Sequence, residues 1–221
     1  MNGKGFKLLV FDWDGTLMDS EARIIACVRG AATDLQLKIP TDDEVRNIIG
    51  LGLTEAVTTL FPGEDDELVE RVVVRYRHYF LHVDKTPSEL FAGAREELHK
   101  LLRRGYMLAV ATGKGRQGLD KVLVETGLGP LFLATRCADE TLSKPHPEML
   151  LQIMDELGVD GHETLMIGDT EYDMQMAVNA GAHRLAVSYG VHTLERLMLH
   201  SPLGCLDDIT ELTDWLSTDE D

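Results

Sequence analysis

Short continuous apolar runs alternate along the chain with longer amphipathic stretches. Leu8-Leu9-Val10-Phe11 ends abruptly at Asp12, the pattern of a strand buried on both faces. Met107–Ala111, Leu165–Ile167 and Leu185–Val187 repeat it, and Leu131–Leu133 is a weaker fifth run. Between them, Arg95–Arg104 sets Leu98, Leu101 and Leu102 on one helical stripe and stops at Gly105. Leu119–Thr126, Pro147–Leu157 and Tyr172–Ala180 likewise stop at Gly127, Gly158 and Gly181. Strands alternating with glycine-terminated helices predict an α/β core: a Rossmann-like parallel sheet with helices on both faces.

From Ser20 to about Pro87 the pattern contains helices and no strand. The first runs from Glu21 to Leu35. A second opens at Thr41, where Thr41 and Glu44 form a capping-box pair. Thr54–Leu60 stops at Phe61-Pro62-Gly63, and Glu64–Val83 begins with an acidic turn suited to the helix dipole. The division is therefore a core of residues 1–17 and 88–221, with an all-helical cap of residues 18–87 inserted after the first strand. Hinges near Met18 and Pro87 make it a lid.

Composition narrows the class. The 221 residues are 44% apolar and 27% charged, ordinary globular usage, and no internal repeat or low-complexity tract interrupts them. Twenty-one basic against 38 acidic side chains give a formal charge of −17, which repels nucleic-acid backbones and anionic lipid. An anionic substrate would need a metal or a local cationic pocket to reverse that field. Cys27, Cys137 and Cys205 are widely spaced and odd in number, as expected of a reducing cytosol. The opening residues carry too short an apolar run for a leader or a membrane span, so a soluble cytoplasmic protein is expected. Asp214–Asp221 reads as a solvated acidic end.

Loops at the carboxyl ends of parallel strands converge on one edge. They carry Asp12-Trp13-Asp14-Gly15-Thr16, Thr112-Gly113-Lys114, Ser143-Lys144-Pro145 and Gly168-Asp169-Thr170, with Asp173 shortly after. Asp12, Asp14, Asp169 and Asp173 crowded together cannot all remain ionised unaided. A hard dication with oxygen ligands resolves this, and Mg2+ suits carboxylates, waters and phosphate oxygens. His146 is the one histidine near these loops, which disfavours zinc.

Asp-Trp-Asp-Gly-Thr-Leu after the first strand, a strand-end Thr, Lys-Pro before a helix and Gly-Asp-x-x-x-Asp after a later strand resemble the haloacid dehalogenase superfamily. The helical insertion, with Phe91-Ala92-Gly93-Ala94 and Thr112-Gly113-Lys114, is similar to its phosphoglycolate phosphatase-like branch. The resemblance implies Mg2+-dependent hydrolysis of a small phosphate monoester through an aspartyl-phosphate. Asp12 would be the nucleophile and Asp14 the general acid and base. Thr112, Gly113 and Lys144 would hold the phosphoryl oxygens, while Asp12, the Asp14 carbonyl, Asp169 and Asp173 would serve the metal. The partner would be a small phosphorylated metabolite such as phosphoglycolate, and monomer and homodimer both stay open.

Other readings compete. The same scaffold would suit a sugar phosphomutase or a nucleotide- or pyrophosphate-directed phosphatase; a receiver-like phospho-switch also gathers carboxylates, Thr and Lys around Mg2+. A carbon–halogen hydrolase would not need the acid Asp14. Asp19 and Ser20 read as caps of the first lid helix, and Met174 and Met176 as core. Lys114 reads equally as a phosphate contact or a helix-start residue. Arg23, Arg46 and Arg75 are lid cations open to either an anionic substrate group or solvent. His78 and His82, four apart, have metal-ligand spacing without an evident third ligand.

Overall fold

The computed structural model describes residues 5–217. Residues 1–4 and 218–221, which carry parts of the leader and acidic-end readings, lie outside them.

Strand β1 (Leu8–Phe11) leads through β2 (Met18–Asp19) into helices α1 (Glu21–Asp34), α2 (Asp42–Arg46), α3 (Leu53–Leu60) and α4 (Asp66–His78). The chain returns through β3 (Glu89–Leu90), α5 (Ala94–Arg103), β4 (Met107–Thr112), α6 (Arg116–Thr126) and β5 (Ala134–Cys137). It continues with α7 (Glu148–Leu157), β6 (Thr164–Gly168), α8 (Glu171–Ala180), β7 (His183–Val187), α9 (Leu194–Met198), β8 (Cys205–Leu206) and α10 (Leu212–Trp215). Six strands form one sheet in the order β5-β4-β1-β6-β7-β8, every pair parallel.

Alternation within the buried strands divides the core. Leu9 and Phe11 of β1 pack with Leu98, Leu101, Leu119 and Leu212 of α5, α6 and α10. Leu8 and Val10 face Met149, Ile153 and Met176 of α7 and α8 on the other side. A strand buried on both faces has no polar positions to spend, which is why the run reads as continuously apolar.

The block between β2 and β3 has its own apolar clusters. Ile24, Ile25, Val28, Val45 and Ile49 form one; Ala31, Val57, Phe61, Val69 and Val72 form the other. Thr41 and Glu44 close the expected capping box. β2 and β3 pair antiparallel, Met18 opposite Leu90, so the chain enters and leaves the block through one small ribbon.

Several expectations need correction. Leu131–Leu133 is not a strand: Gly129–Leu131 is a 3-10 turn containing Pro130, and β5 starts at Ala134. β5 lies at the sheet edge, where half-buried Thr135 and Arg136 are tolerated and no continuous apolar run is required. The helix expected over 64–83 ends at His78 and widens into a π-helical turn, Tyr79–Val83. The acidic end is ordered as far as described: Asp214 belongs to α10, whose Leu212 and the following Leu216 are fully buried. No helix among the described residues is long and apolar enough to cross a membrane.

Leu98 is 1% exposed at the junction of α5 and the sheet. Leu98→Ala is expected to lower unfolding free energy by about 2–5 kcal/mol through lost burial and a residual cavity. Urea unfolding checks this; a loss below about 1 kcal/mol would mean that the helix does not rest on the sheet as described.

Candidate active site

Asp12 follows β1 directly, and its N–H still donates to Ile167 O of β6 at 3.0 Å, so the sheet ladder fixes its backbone. The chain then turns tightly: the N–H groups of Leu17 and Met18 both donate to Trp13 O at 3.0 Å. Gly15 stands in this turn at φ +81°, and a Cβ there would lie 2.1 Å from Asp169 Oδ2. A Cβ at Gly190 would lie equally close to Asp169, so the carboxylate is wedged between two bare backbones. Thr16 Oγ1 donates to Asp169 Oδ1 at 2.8 Å, and Val191 N–H to Oδ2 at 2.9 Å.

Lys144 is 1% exposed, its Nζ 2.9 Å from Asp12 Oδ1 and 2.6 Å from Asp173 Oδ1. Asp173 Oδ2 accepts from Thr170 N–H at 3.1 Å and Thr170 Oγ1 at 2.6 Å, closing a capping box on α8. One side chain thus caps a helix and anchors the lysine. Carboxylate oxygens of Asp12, Asp169 and Asp173 lie within 4.8 Å of one another, all buried. Three acids face one ammonium there.

Burial first, and then the charges of Asp173 and Asp169, push the Asp12 carboxyl well above its usual range despite Lys144. Asp169 is pushed up to about 7, by burial first and then by Asp173. Burial alone would pull Lys144 down, but Asp12 and Asp173 together hold it above its ordinary value. Neither oxygen of Asp12 accepts a well-directed hydrogen bond. A buried carboxylate so placed beside two others fits a hard dication, whose charge would offset what Lys144 leaves uncompensated.

The Asp14 carboxylate is not part of this cluster. Its Oδ1 accepts from Ser20 Oγ at 2.6 Å, and its Oδ2 lies 2.9 Å from Lys114 Nζ. Ser20 occupies the N-cap position of α1 without capping it, because its hydroxyl is committed to Asp14. Asp19 is exposed on β2. Lys114 is neither a bare helix-start residue nor an unpaired cation: it lies between Asp14 and the Phe80 ring, 4.4 Å from the ring centroid.

Thr112 ends β4 fully buried, and its Oγ1 accepts from Lys114 N–H at 3.2 Å. A Cβ on Gly113 would lie 2.4 Å from Leu51 O and 2.6 Å from Gly50 O, so the helical block presses its backbone onto this loop. Gly52 N–H donates to Ser143 Oγ at 2.7 Å, and Tyr172 Oη to Asn47 O at 2.7 Å, across the same junction.

The remaining candidates lie elsewhere. Arg23 is buried and donates to Phe80 O, whereas Arg46 pairs with Glu21 and Asp43, and Arg75 with Asp34. His78 and His82 rings stand 5.7 Å apart, and they belong to none of the three-acid or histidine groups found among the described residues. His146 Nδ1 accepts from Glu148 N–H at the start of α7. Met174 and Met176 are core residues. Sequence reading missed Ser20 as the Asp14 partner, Gly190 and Val191 beside Asp169, and Ser143 at the junction; each acts through a contact between distant segments that leaves no local periodicity.

Residues 9–187 match the haloacid dehalogenase-like hydrolase family model, and the chain belongs to that family. A Dickeya dadantii protein named "Probable phosphatase IndB" is 35% identical over 93% of this chain and 91% of its own length. A phosphoglycolate phosphatase from Aliivibrio fischeri is 29% identical, with 96% of each chain covered. In fold, the chain matches a crystal structure from Haemophilus somnus 129PT, reported as a predicted phosphoglycolate phosphatase. That match has a TM-score of 0.87 at 23% identity and covers 96% of this chain and 98% of the other.

An acid whose folded pKa exceeds its unfolded value favours folding below the unfolded value and loses that contribution as pH rises. For Asp169 the window runs from 3.8 to about 7. A dication such as Mg2+ held there would relieve that cost and compete with the proton, so its gain in Tm over EDTA is expected to be larger near about pH 7.5 than near about pH 5. Calorimetry at both pH values checks this; a gain no larger at the higher pH contradicts it.

Proposed function

We propose that the protein is a Mg2+-dependent phosphatase that hydrolyses a small phosphate monoester through an aspartyl-phosphate on Asp12. The observation that carries this is the Asp12 carboxylate, with two oxygens free of directed hydrogen bonds, beside Lys144 and at the edge of a cavity. Membership of a hydrolase family leaves the receiver-like switch without support.

Asp12 attacks phosphorus, the ester P–O bond breaks, and the alkoxide takes a proton from Asp14. Water then attacks the acyl phosphate at phosphorus while Asp14 takes the water's proton, so phosphate leaves and Asp12 is restored. Ser20 and Lys114 hold Asp14 in place for both transfers. Thr112, the Gly113 backbone and Lys144 bind the transferring oxygens. Asp12, Asp169, Asp173 and the backbone carbonyl of Asp14 would hold Mg2+, which supplies charge neutralisation for the phosphoryl group. Residues 18–87 act as the cap on a core of residues 1–17 and 88–221. The junction through Leu51, Gly52 and Asn47 closes it and excludes water. The names of the relatives make phosphoglycolate the first ester to test.

Asp12→Asn keeps the size of the side chain and removes the nucleophile; kcat is expected to fall by about 10⁴-fold or more, with the melting transition retained. Steady-state hydrolysis of p-nitrophenyl phosphate by the purified variant checks it, and near-normal turnover would end the reading. Asp14→Asn keeps an acceptor for Ser20 but cannot exchange a proton. Its kcat on an alkyl phosphate is expected to fall by about 10²–10⁴-fold, and by less on p-nitrophenyl phosphate, whose leaving group needs little protonation. Equal losses on the two esters would remove the leaving-group role.

A further inference from the structure

The phosphoryl site opens into a cavity of about 410 Å3 that runs from Asp12, Asp14 and Thr112 into the helical block. Its far wall is apolar: Ile24, Val28, Ile49, Val57, Leu60 and Val72 line it, with Tyr76 and Phe80 stacked beside them at 6.2 Å. Such a volume is of the order that accepts organic ligands rather than a bare ion. Glycolate, by contrast, would bring a second anion into this space.

The basic side chains around the cavity are poorly placed to meet that anion. Lys114 is taken by Asp14 at 2.9 Å, and Arg116 by Glu140 at 2.7 Å and Asp120 at 3.3 Å. Arg77 is exposed, where water screens its charge. Arg23, buried behind Phe80, donates to Phe80 O and lies over the Phe80 ring; its Nε has no hydrogen-bond partner, but the side chain does not line the cavity. A carboxylate among the aliphatic side chains would lose its hydration without gaining a partner, whereas a hydrocarbon group would be favoured there.

We infer that the alcohol part of the substrate is an uncharged, largely apolar group, phenylalkyl or branched alkyl in size, seated between α1, α3 and α4. This rests on the phosphatase reading above and specifies its substrate class. The helical block then selects by burial: each methylene moved from water into the cavity raises kcat/KM about four-fold. Tyr76 and Phe80 offer a wall suited to an aromatic or branched group.

The test compares 2-phenylethyl phosphate, methyl phosphate and 2-phosphoglycolate with purified protein and Mg2+, all three having an aliphatic alkoxide as leaving group. The expected kcat/KM for the phenylethyl ester is at least about ten-fold above both others. A smaller ratio against either overturns the inference, while hydrolysis of any of these esters leaves the phosphatase reading standing. Failure to hydrolyse all three and p-nitrophenyl phosphate ends both. Ala56 lies 4% exposed in the cavity wall, and Ala56→Phe would fill the space. The phenylethyl-to-methyl ratio is expected to fall at least about ten-fold in that variant, and an unchanged ratio in a folded variant overturns the assignment. Independently of any variant, 2-phenylethylphosphonate is expected to inhibit the wild type at least about ten-fold more tightly than methylphosphonate; equal inhibition overturns it too.

Discussion

Lys144, buried between Asp12 and Asp173, is the contact on which the rest of the site depends. An ammonium without solvent is tolerated only because two carboxylates face it, and its charge offsets part of the cost of burying Asp12. Asp12 arrives from β1, Lys144 from the loop before α7 and Asp173 from α8. Their meeting therefore demands that β1 and β6 be neighbours and that α7 and α8 cover the same sheet face. Removing the lysine would leave two buried carboxylates with no ammonium between them, and so the sheet edge and the acidic cluster are held by the same interaction.

A second constraint is the excess of acid. With Asp169 added, one lysine no longer balances the cluster, and burial raises Asp12 and Asp169 toward protonation. An overall charge of −17 does nothing to relieve it. The arrangement accordingly suits a dication, and an anionic group entering here would meet the buried ammonium of Lys144. Long-range repulsion and short-range attraction then coexist in one molecule.

The helical block contributes in a different way. Its backbone at Gly50 and Leu51 lies against Gly113, and its apolar interior continues the space beside Asp12. The ribbon of β2 and β3 joins it to the core, so the block borders the cavity while the sheet edge carries the acidic cluster.

Much of this was legible in the chain alone. The parallel core could be read because a strand buried on both faces must be apolar throughout, and helices α5 to α8 because each stops at a glycine. The four site loops could be placed because strand ends in such a sheet converge. Edge strand β5 was misplaced because burial on an edge requires no continuous apolar run, and the widening at Tyr79–Val83 leaves no periodic signal. The partners of Asp14 were likewise hidden: Ser20 read as a helix cap and Lys114 as ambiguous, since their roles come from where a turn and a loop meet in space. Residue types and their order therefore determined the layers and which loops meet at the sheet edge. Only tertiary packing decided which charges pair and where a cavity remains, because both depend on distances between segments far apart in the chain.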